Sequence, residues 1–317
     1  MKILITEISG YSEETLNLYR DVGDIMPTNL RDDELISALP EVEILVVRLL
    51  YFFDAELLKA AKKLKYIVTP TTGLNHIDLA YCEANGIRVV SLKGEKKFLN
   101  NITPTAELTW GLLLALIRKL PAAFDSVLNG SWDRDLFLGT ELKGKTLGII
   151  GFGRLGKMVA KYGAAFGMNV VYSDIDEFES VLFAKPIELM ELLTTSDVIS
   201  LHIPLEHSTQ GFFGEAEIKS MKEGAILINT SRGEVLNEDA LLQALSSKHL
   251  SGAALDVLQG EVSADSISFK KNKLIDYAKK NQNLLITPHI GGACPDSMRL
   301  TEGFVAKKLI SLLEDTN

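Results

Sequence analysis

From Lys2 to Thr287 the chain repeats one pattern: a short run rich in Val, Ile and Leu, then a longer stretch in which apolar residues recur every three or four positions. A continuous short apolar run suits a strand covered on both faces. An amphipathic connection long enough to form a helix carries the chain back, so that the next strand lies parallel to the last. The runs fall into two series. The first holds residues 2–6, 43–48, 65–69 and 87–91, with helical stretches at 54–63 and 77–85 among its connections. The second holds residues 145–150, 169–173, 197–201, 225–229, 252–255 and 284–287. Two α/β domains built on parallel sheets follow, and 317 residues suit two domains at roughly 100 to 200 residues each.

Between the series, Thr103-Pro104-Thr105-Ala106-Glu107 reads as a helix start: a capping hydroxyl, Pro at the first helical position and an acid in the first turn. This helix is expected to run to about Leu120 and stop before Pro121. The polar stretch from there to Gly144, with Trp132 and Phe137, has two readings: an arm that packs on a second subunit, or a loop over its own domain. Residues 295–313 have helical periodicity.

Charge excludes one broad class. With 33 Lys+Arg against 42 Asp+Glu the net charge is −9, the wrong sign for a general nucleic-acid binder, which must neutralise phosphates. The longest apolar stretch, residues 108–117, is far short of the roughly 20 that cross a bilayer, so no membrane partner is expected. The start, MKILITEISG, lacks a signal-peptide core and cleavage site. Cys82 and Cys294 form neither a disulfide framework nor a metal pair. A reducing cytoplasm and no metal are expected.

The most informative segment is Lys145-Thr146-Leu147-Gly148-Ile149-Ile150-Gly151-Phe152-Gly153-Arg154-Leu155-Gly156. A lone GxGxxG says little, but this one follows a strand pattern and opens a helix over residues 154–167. There Gly151 permits a tight turn, Gly153 lets a pyrophosphate reach the backbone, and Gly156 allows helix and strand to touch. The helix N-terminus offers unpaired N–H groups and positive dipole character to phosphates. The second strand ends at Asp174, 18 residues past Gly156 (174 − 156), where an acid binds the adenosine ribose diol. Ile175, Asp176 and Glu177 follow, with no Arg for a 2′-phosphate, so NAD is expected over NADP.

Downstream, Asn229-Thr230-Ser231-Arg232-Gly233-Glu234, Gly252-Ala253-Ala254-Leu255-Asp256-Val257 and Thr287-Pro288-His289-Ile290-Gly291-Gly292 each put polar residues just past a strand, where open α/β sheets bind ligands. Arg232, Asp256, Glu261 and His289 are therefore candidates for one cleft. With Thr72-Gly73-Leu74-Asn75-His76-Ile77-Asp78-Leu79, Thr105-Ala106-Glu107-Leu108 and His202-Ile203-Pro204-Leu205, these motifs stand in an order that resembles the D-isomer-specific 2-hydroxyacid dehydrogenase family. Within it, the chain is most similar to the D-3-phosphoglycerate dehydrogenases.

The resemblance implies two Rossmann-like domains with parallel sheets. The NAD-binding domain, residues 101–290, is inserted into a substrate-binding domain of residues 1–100 plus 291–317. It implies hydride transfer between NAD and a small D-2-hydroxy acid or its 2-oxo acid. The catalytic Arg, Glu and His map onto Arg232, Glu261 and His289. Arg232 suits a carboxylate fork, His289 a proton transfer to the carbonyl oxygen, and Glu261 an acid that orients the imidazole and raises its pKa. Cofactor contacts are implied at Thr72, Arg154, Leu155, Asp174, Ile203, Pro204 and Thr230, beside the three glycines, with Asp256 and Gly291 close by. Substrate contacts are expected at Arg48, Thr72, Gly73 and Arg232. A homodimer formed through the cofactor domain is implied, as is the absence of a serine-binding regulatory domain past Asn317. An alternative from another class is a non-catalytic protein that senses NAD.

Some positions depart from the family. Val262 stands where Pro is usual and Cys294 where Thr is common, and residues 263–282 are a Lys-rich insertion, read as a solvated face or an extra helix. No Arg lies near Thr69, where phosphoglycerate-specific members often carry one. Arg48 and the loop from Lys93 to Lys97 are the alternative phosphate receptors, Lys96 and Lys97 reading otherwise as a solvated face, and the overall resemblance keeps 3-phosphoglycerate as the leading substrate. Tyr51, Phe52 and Phe53 would instead line the end for an uncharged side chain, as in a hydroxypyruvate, glyoxylate or lactate type of enzyme. His202 is expected to line the cofactor crevice, and His76, His207 and His249 to be surface or local structural residues.

Overall fold

Apolar residues that alternate between two covered faces build the first sheet. In the computed structural model, which describes residues 1–26, 32–176, 181–261 and 271–315, the chain divides into two units, Met1–Ile102 with Ala293–Asn317, and Thr103–Gly292. The first unit holds β1 (Lys2–Ile5), β2 (Asp24–Ile25), β3 (Ile44–Val46), β4 (Tyr66–Val68) and β5 (Arg88–Val90), all parallel, in the order β2-β1-β3-β4-β5. Ile3, Ile5, Ile44, Val46, Tyr66 and Val68 point to one face, where Leu16, Tyr19, Val305, Ala306 and Leu309 cover them. Leu4, Leu45 and Ile67 point to the other, onto Leu35, Leu39, Leu58 and Ile77. This period of two explains why the strands read as unbroken apolar runs. The helix Pro295–Glu314, last in sequence, thus completes the core begun by the first strand.

The second unit holds β6 (Thr146–Ile150), β7 (Asn169–Ser173), β8 (Lys185–Pro186), β9 (Val198–Leu201), β10 (Ile226–Asn229), β11 (Gly252–Leu255) and β12 (Leu284–Ile286). All pairs are parallel, in the order β12-β11-β10-β9-β6-β7-β8. The chain starts at β6, runs outward to β8, then returns to β9 on the other side, so the strand order reverses between β6 and β9. Ligands bind outside the carboxyl ends of strands at such a switch point. Register sharpens this: Leu201 pairs with Asn229, Asn229 with Leu255, and Leu255 with Ile286. The residues that follow, His202, Thr230, Asp256 and Thr287, therefore emerge side by side from four strands.

Several local expectations need correction. The helix over 54–63 is only Ala55–Leu58; beyond it Ala60 and Ala61 donate to Leu57 and Leu58, three residues back. Leu58, Ala61 and Leu64 are all buried, and spacing by three suits such tightened turns better than an α-helix. Thr103 does not cap its helix backbone, since its hydroxyl donates to the Glu107 carboxylate. That helix, Pro104–Ile117, does stop before Pro121, but Lys119 turns left-handed (φ 50°) and a second helix, Leu120–Leu128, begins at once. Pro121 sits in its first turn, where a missing N–H costs nothing. The glycine-turn helix is Arg154–Ala165. The two-residue strands β2 and β8 are too short to show a period. Within the insertion, Lys273–Ala278 is helical, with Leu274 buried and Asn272 capping Leu274 and Ile275; Val262 and residues 263–270 lie outside the described residues, as does Glu177. No helix among the described residues is long and apolar enough to cross a membrane.

Candidate active site

Gly151 follows β6 with φ +89°, and a Cβ there would sit 2.7 Å from the His202 carbonyl oxygen and from Ile203. The turn after β6 is thus pressed against the loop after β9. Gly156 is tighter still, its Cβ falling 2.1 Å from the Gly151 oxygen, so the helix Arg154–Ala165 packs directly on the strand it follows. At Gly153 a Cβ meets nothing within 4 Å, and the helix it begins has no side-chain cap. One glycine makes the turn, one packs, and one leaves open backbone at a helix N-terminus. Asp174, past the end of β7, accepts from Phe152 N–H between two of these glycines and from Asp176 N–H at 3.0 Å. The acid therefore stands beside the turn, as dinucleotide binding requires. Arg154 and Leu155 form the first helical turn, and burial holds Arg154 below its ordinary pKa. These residues fit a dinucleotide.

His289 and Glu261 meet, with Nδ1 2.5 Å from Glu261 Oε1 and both side chains largely shielded (26% and 14% exposed). A carboxylate only accepts, so Nδ1 carries the hydrogen, and Nε2 is the atom that gains or loses a proton. The other Glu261 oxygen, Oε2, takes Leu258 N–H at 3.1 Å, which fixes the acid to its own loop. Asp256 fixes the histidine's loop. Its Oδ1 accepts from Ile290 N–H (2.9 Å) and the Thr287 hydroxyl (2.6 Å), its Oδ2 from Gly291 N–H (2.8 Å), and its backbone oxygen from His289 N–H (2.8 Å). Burial pushes the Asp256 carboxyl up and these donors pull it back. His289 itself is left-handed, φ +52°, a conformation rare outside glycine and here imposed by that clamp.

Arg232 leaves the end of β10 half-buried, its Nη1 donating to Ser231 O at 2.6 Å. Burial lowers its pKa while Glu261 and Glu234 raise it, so both carboxylates feel the guanidinium. Two features that the sequence reading passed over hold it. Asn229, fully buried, donates to Arg232 O and accepts from Ser231 N–H and hydroxyl; its only sequence signal is a polar residue ending an apolar strand. Gly233 has no room for a Cβ, which would fall 2.1 Å from the Leu258 backbone. That contact brings the Arg232 turn against the loop that carries Glu261.

Other expected residues have local roles. Thr230 is buried, its hydroxyl 2.8 Å from that of Thr109. Ile203 and Pro204 form the loop against Gly151, and the Gly291 oxygen accepts from the Thr105 hydroxyl at 3.1 Å. His202 places Nε2 2.8 Å from Ser200 Oγ, while its Nδ1 is buried with no partner among the described residues. Burial pushes its pKa down to about 4. In the first unit Thr72 is exposed and Gly73 half-buried past β4, and Gly73 O takes the Thr71 hydroxyl at 2.8 Å. Arg48, past β3, is engaged with Glu302 and Ser9. His76 is fully buried, 3.4 Å from Thr69 Oγ1, His207 is exposed, and His249 lies 3.0 Å from Ile218 O. Among the described residues no group of His, Cys, Asp and Glu is placed to hold a metal ion.

A family model described as D-isomer specific 2-hydroxyacid dehydrogenase, NAD binding domain, matches residues 110–291. A hydroxypyruvate reductase of Thermotoga maritima is 37% identical over 276 residues, 87% of this chain and 86% of that protein. A D-3-phosphoglycerate dehydrogenase of Archaeoglobus fulgidus is 35% identical over 317 residues, 98% of this chain but only 57% of its own length, so the chain spans little more than half of that relative. The solved D-lactate dehydrogenase of Aquifex aeolicus, complexed with NAD and lactic acid, aligns with a TM-score of 0.82 at 31% identity, covering 99% of this chain and 96% of that one.

Proposed function

The chain belongs to the D-isomer-specific 2-hydroxyacid dehydrogenase family, and on that premise we propose that Arg232, Glu261 and His289 interconvert a D-2-hydroxy acid and its 2-oxo acid. NAD, when bound, takes and returns the hydride. Arg232 holds the substrate carboxylate in a charged fork and so fixes the carbonyl beside it. His289 donates from Nε2 to the carbonyl oxygen during reduction and accepts the hydroxyl proton during oxidation. Glu261 keeps the other ring nitrogen protonated and stabilises the imidazolium that oxidation leaves. The observation that carries this reading is the 2.5 Å His289–Glu261 contact beside the Arg232 turn. In this reading the first unit binds substrate, with Thr72 and Gly73 among its contacts. The turn from Gly151 to Gly156, Asp174, Ile203 and Pro204 hold the cofactor, while Thr230, Asp256 and Gly291 support that pocket.

The protein acts as a homodimer joined through the second unit, a reading supported by an exposed apolar stretch taken up below. A cytoplasmic setting belongs to the same reading, supported by two unpaired thiols, Cys82 and Cys294. The catalytic assignment is tested by His289→Ala. A positioned proton donor contributes about 10² to 10⁴ in rate, so kcat for NADH-driven reduction of 2-oxo acids falls by that order while NADH affinity, read by fluorescence titration, holds. An unchanged kcat removes His289 from the reaction.

A further inference from the structure

Glu261 ends a four-residue turn, Leu258-Gln259-Gly260-Glu261, in which Gly260 takes φ +70°. The turn closes on itself: Glu261 N–H donates to Leu258 O at 3.4 Å, and Leu258 N–H donates to Glu261 Oε2 at 3.1 Å. Its two central amides find acceptors elsewhere. Gln259 N–H donates to Glu238 Oε1 at 2.6 Å, and Gly260 N–H donates to Glu234 Oε1 at 3.1 Å. Gln259 and Gly260 are exposed, so water alone would satisfy these amides. Two glutamates take its place.

Both glutamates belong to the segment that begins with Arg232 and reads Arg232-Gly233-Glu234-Val235-Leu236-Asn237-Glu238. Val235 and Leu236 are buried and anchor it in the core of the second unit. Its backbone is fixed as well: Gly211 N–H donates to Glu234 O (2.8 Å), Phe213 N–H to Val235 O (2.9 Å) and Asn237 N–H to Phe213 O (3.0 Å). Glu238 opens the helix Glu238–Ser246, capped by Asn237. The turn answers the glutamates with a bond of its own, Gln259 Nε2 donating to Leu236 O at 2.5 Å. Burial raises the Glu238 carboxyl above its ordinary pKa, but a carboxyl oxygen accepts from an N–H whether or not the group is ionised. The hold on the turn therefore does not depend on charge.

We propose that Glu234 and Glu238 are positioning residues for Glu261: they fasten the turn that carries it to the segment that carries Arg232, and so set Glu261 against His289. The proposal rests on the dehydrogenase reading above and adds two residues to its site. Tied only to its own turn, Glu261 would pass any looseness of that turn on to the imidazole. Anchors from a buried, hydrogen-bonded segment remove that looseness. They also give Arg232 and Glu261 one frame, which matters because the substrate carboxylate and the proton donor must keep register.

The test compares the parent chain with Glu234→Ala/Glu238→Ala and with Glu234→Gln/Glu238→Gln, since Gln keeps an accepting oxygen and Ala does not. In the Ala pair kcat for NADH-driven reduction of hydroxypyruvate or glyoxylate falls by about tenfold or more, as a misplacement of about 1 Å can cost about 10². KM for the acid moves less than kcat, and NADH affinity by fluorescence titration holds. The Gln pair stays near the parent in kcat. The His289 Nδ1 proton, identified by its absence in His289→Ala, gives a far-downfield NMR signal in the parent and the Gln pair, and that signal shifts or is lost in the Ala pair. A role in stability alone would lower Tm of the Ala pair and leave kcat and this signal as in the parent; that result overturns the proposal. Should the Ala pair not fold, amide hydrogen exchange in the parent decides: slow exchange at Gln259 and Gly260 supports the proposal, and the rate of an exposed peptide overturns it. No turnover by the parent with any 2-oxo acid sinks the dehydrogenase reading and the proposal with it, whereas turnover that the Ala pair matches sinks the proposal alone.

Discussion

His202, half-buried with its Nδ1 fully enclosed, shows how a single side chain makes this fold sensitive to acid. Its imidazole is held near a pKa of about 4 by burial, against about 6.5 in an unfolded chain. The unfolded chain therefore binds the extra proton first, so stability is complete above about pH 6.5 and is lost as the pH falls from there toward 4. The loss from this one group reaches up to about 3 kcal/mol. Thermal melts from pH 7.5 to 4.5 check it: Tm of His202→Asn declines less steeply than that of the parent, and parallel declines would contradict the assignment. In the proposed site Asp174 governs cofactor choice instead, because its carboxylate would lie against a 2′-phosphate. The parent prefers NADH to NADPH, and Asp174→Ala narrows the preference by about tenfold, the scale of one charged contact. Equal efficiency with both cofactors in the parent would refute it. The glycines, Arg232 and His289 were legible in sequence because each chemistry demands its residue type at a fixed place past a strand. Asn229, Gly233 and the pairing of Arg48 with Glu302 were not, since their roles depend on neighbours far along the chain.

Strands were more legible than helices for a physical reason. A strand covered on both faces must be apolar throughout, so β6, β7 and β11 stand out within a residue of their ends. Helix ends depend on caps and turns, as the break at Lys119 shows. The helix Leu120–Leu128 it begins has no buried residue. Phe124, Val127 and Leu128 on it, with Trp132, Leu136 and Leu138 beyond, are 51% to 89% exposed. In the proposed homodimer this is the apolar surface that the arm would bury against a second copy. Light scattering at micromolar concentration is expected to give twice the 34.8 kDa chain mass, and Leu128→Asp/Trp132→Asp to give a monomer. A monomeric parent would contradict it.

The second unit brings four strand ends into line, so that His202, Thr230, Asp256 and Thr287, spread over 85 positions of sequence (287 − 202), form one set. The claim on which everything else depends is that a hydride passes between NADH and the 2-carbon of a 2-oxo acid on this protein. It is tested by supplying NADH deuterated at both C4 positions of the nicotinamide with hydroxypyruvate or glyoxylate and analysing the product by mass spectrometry, with chiral chromatography where the product is chiral. One deuterium at C2 is expected and, from hydroxypyruvate, the D enantiomer; an unlabelled product, an L product, or NADH left unconsumed with every 2-oxo acid offered would overturn hydride transfer.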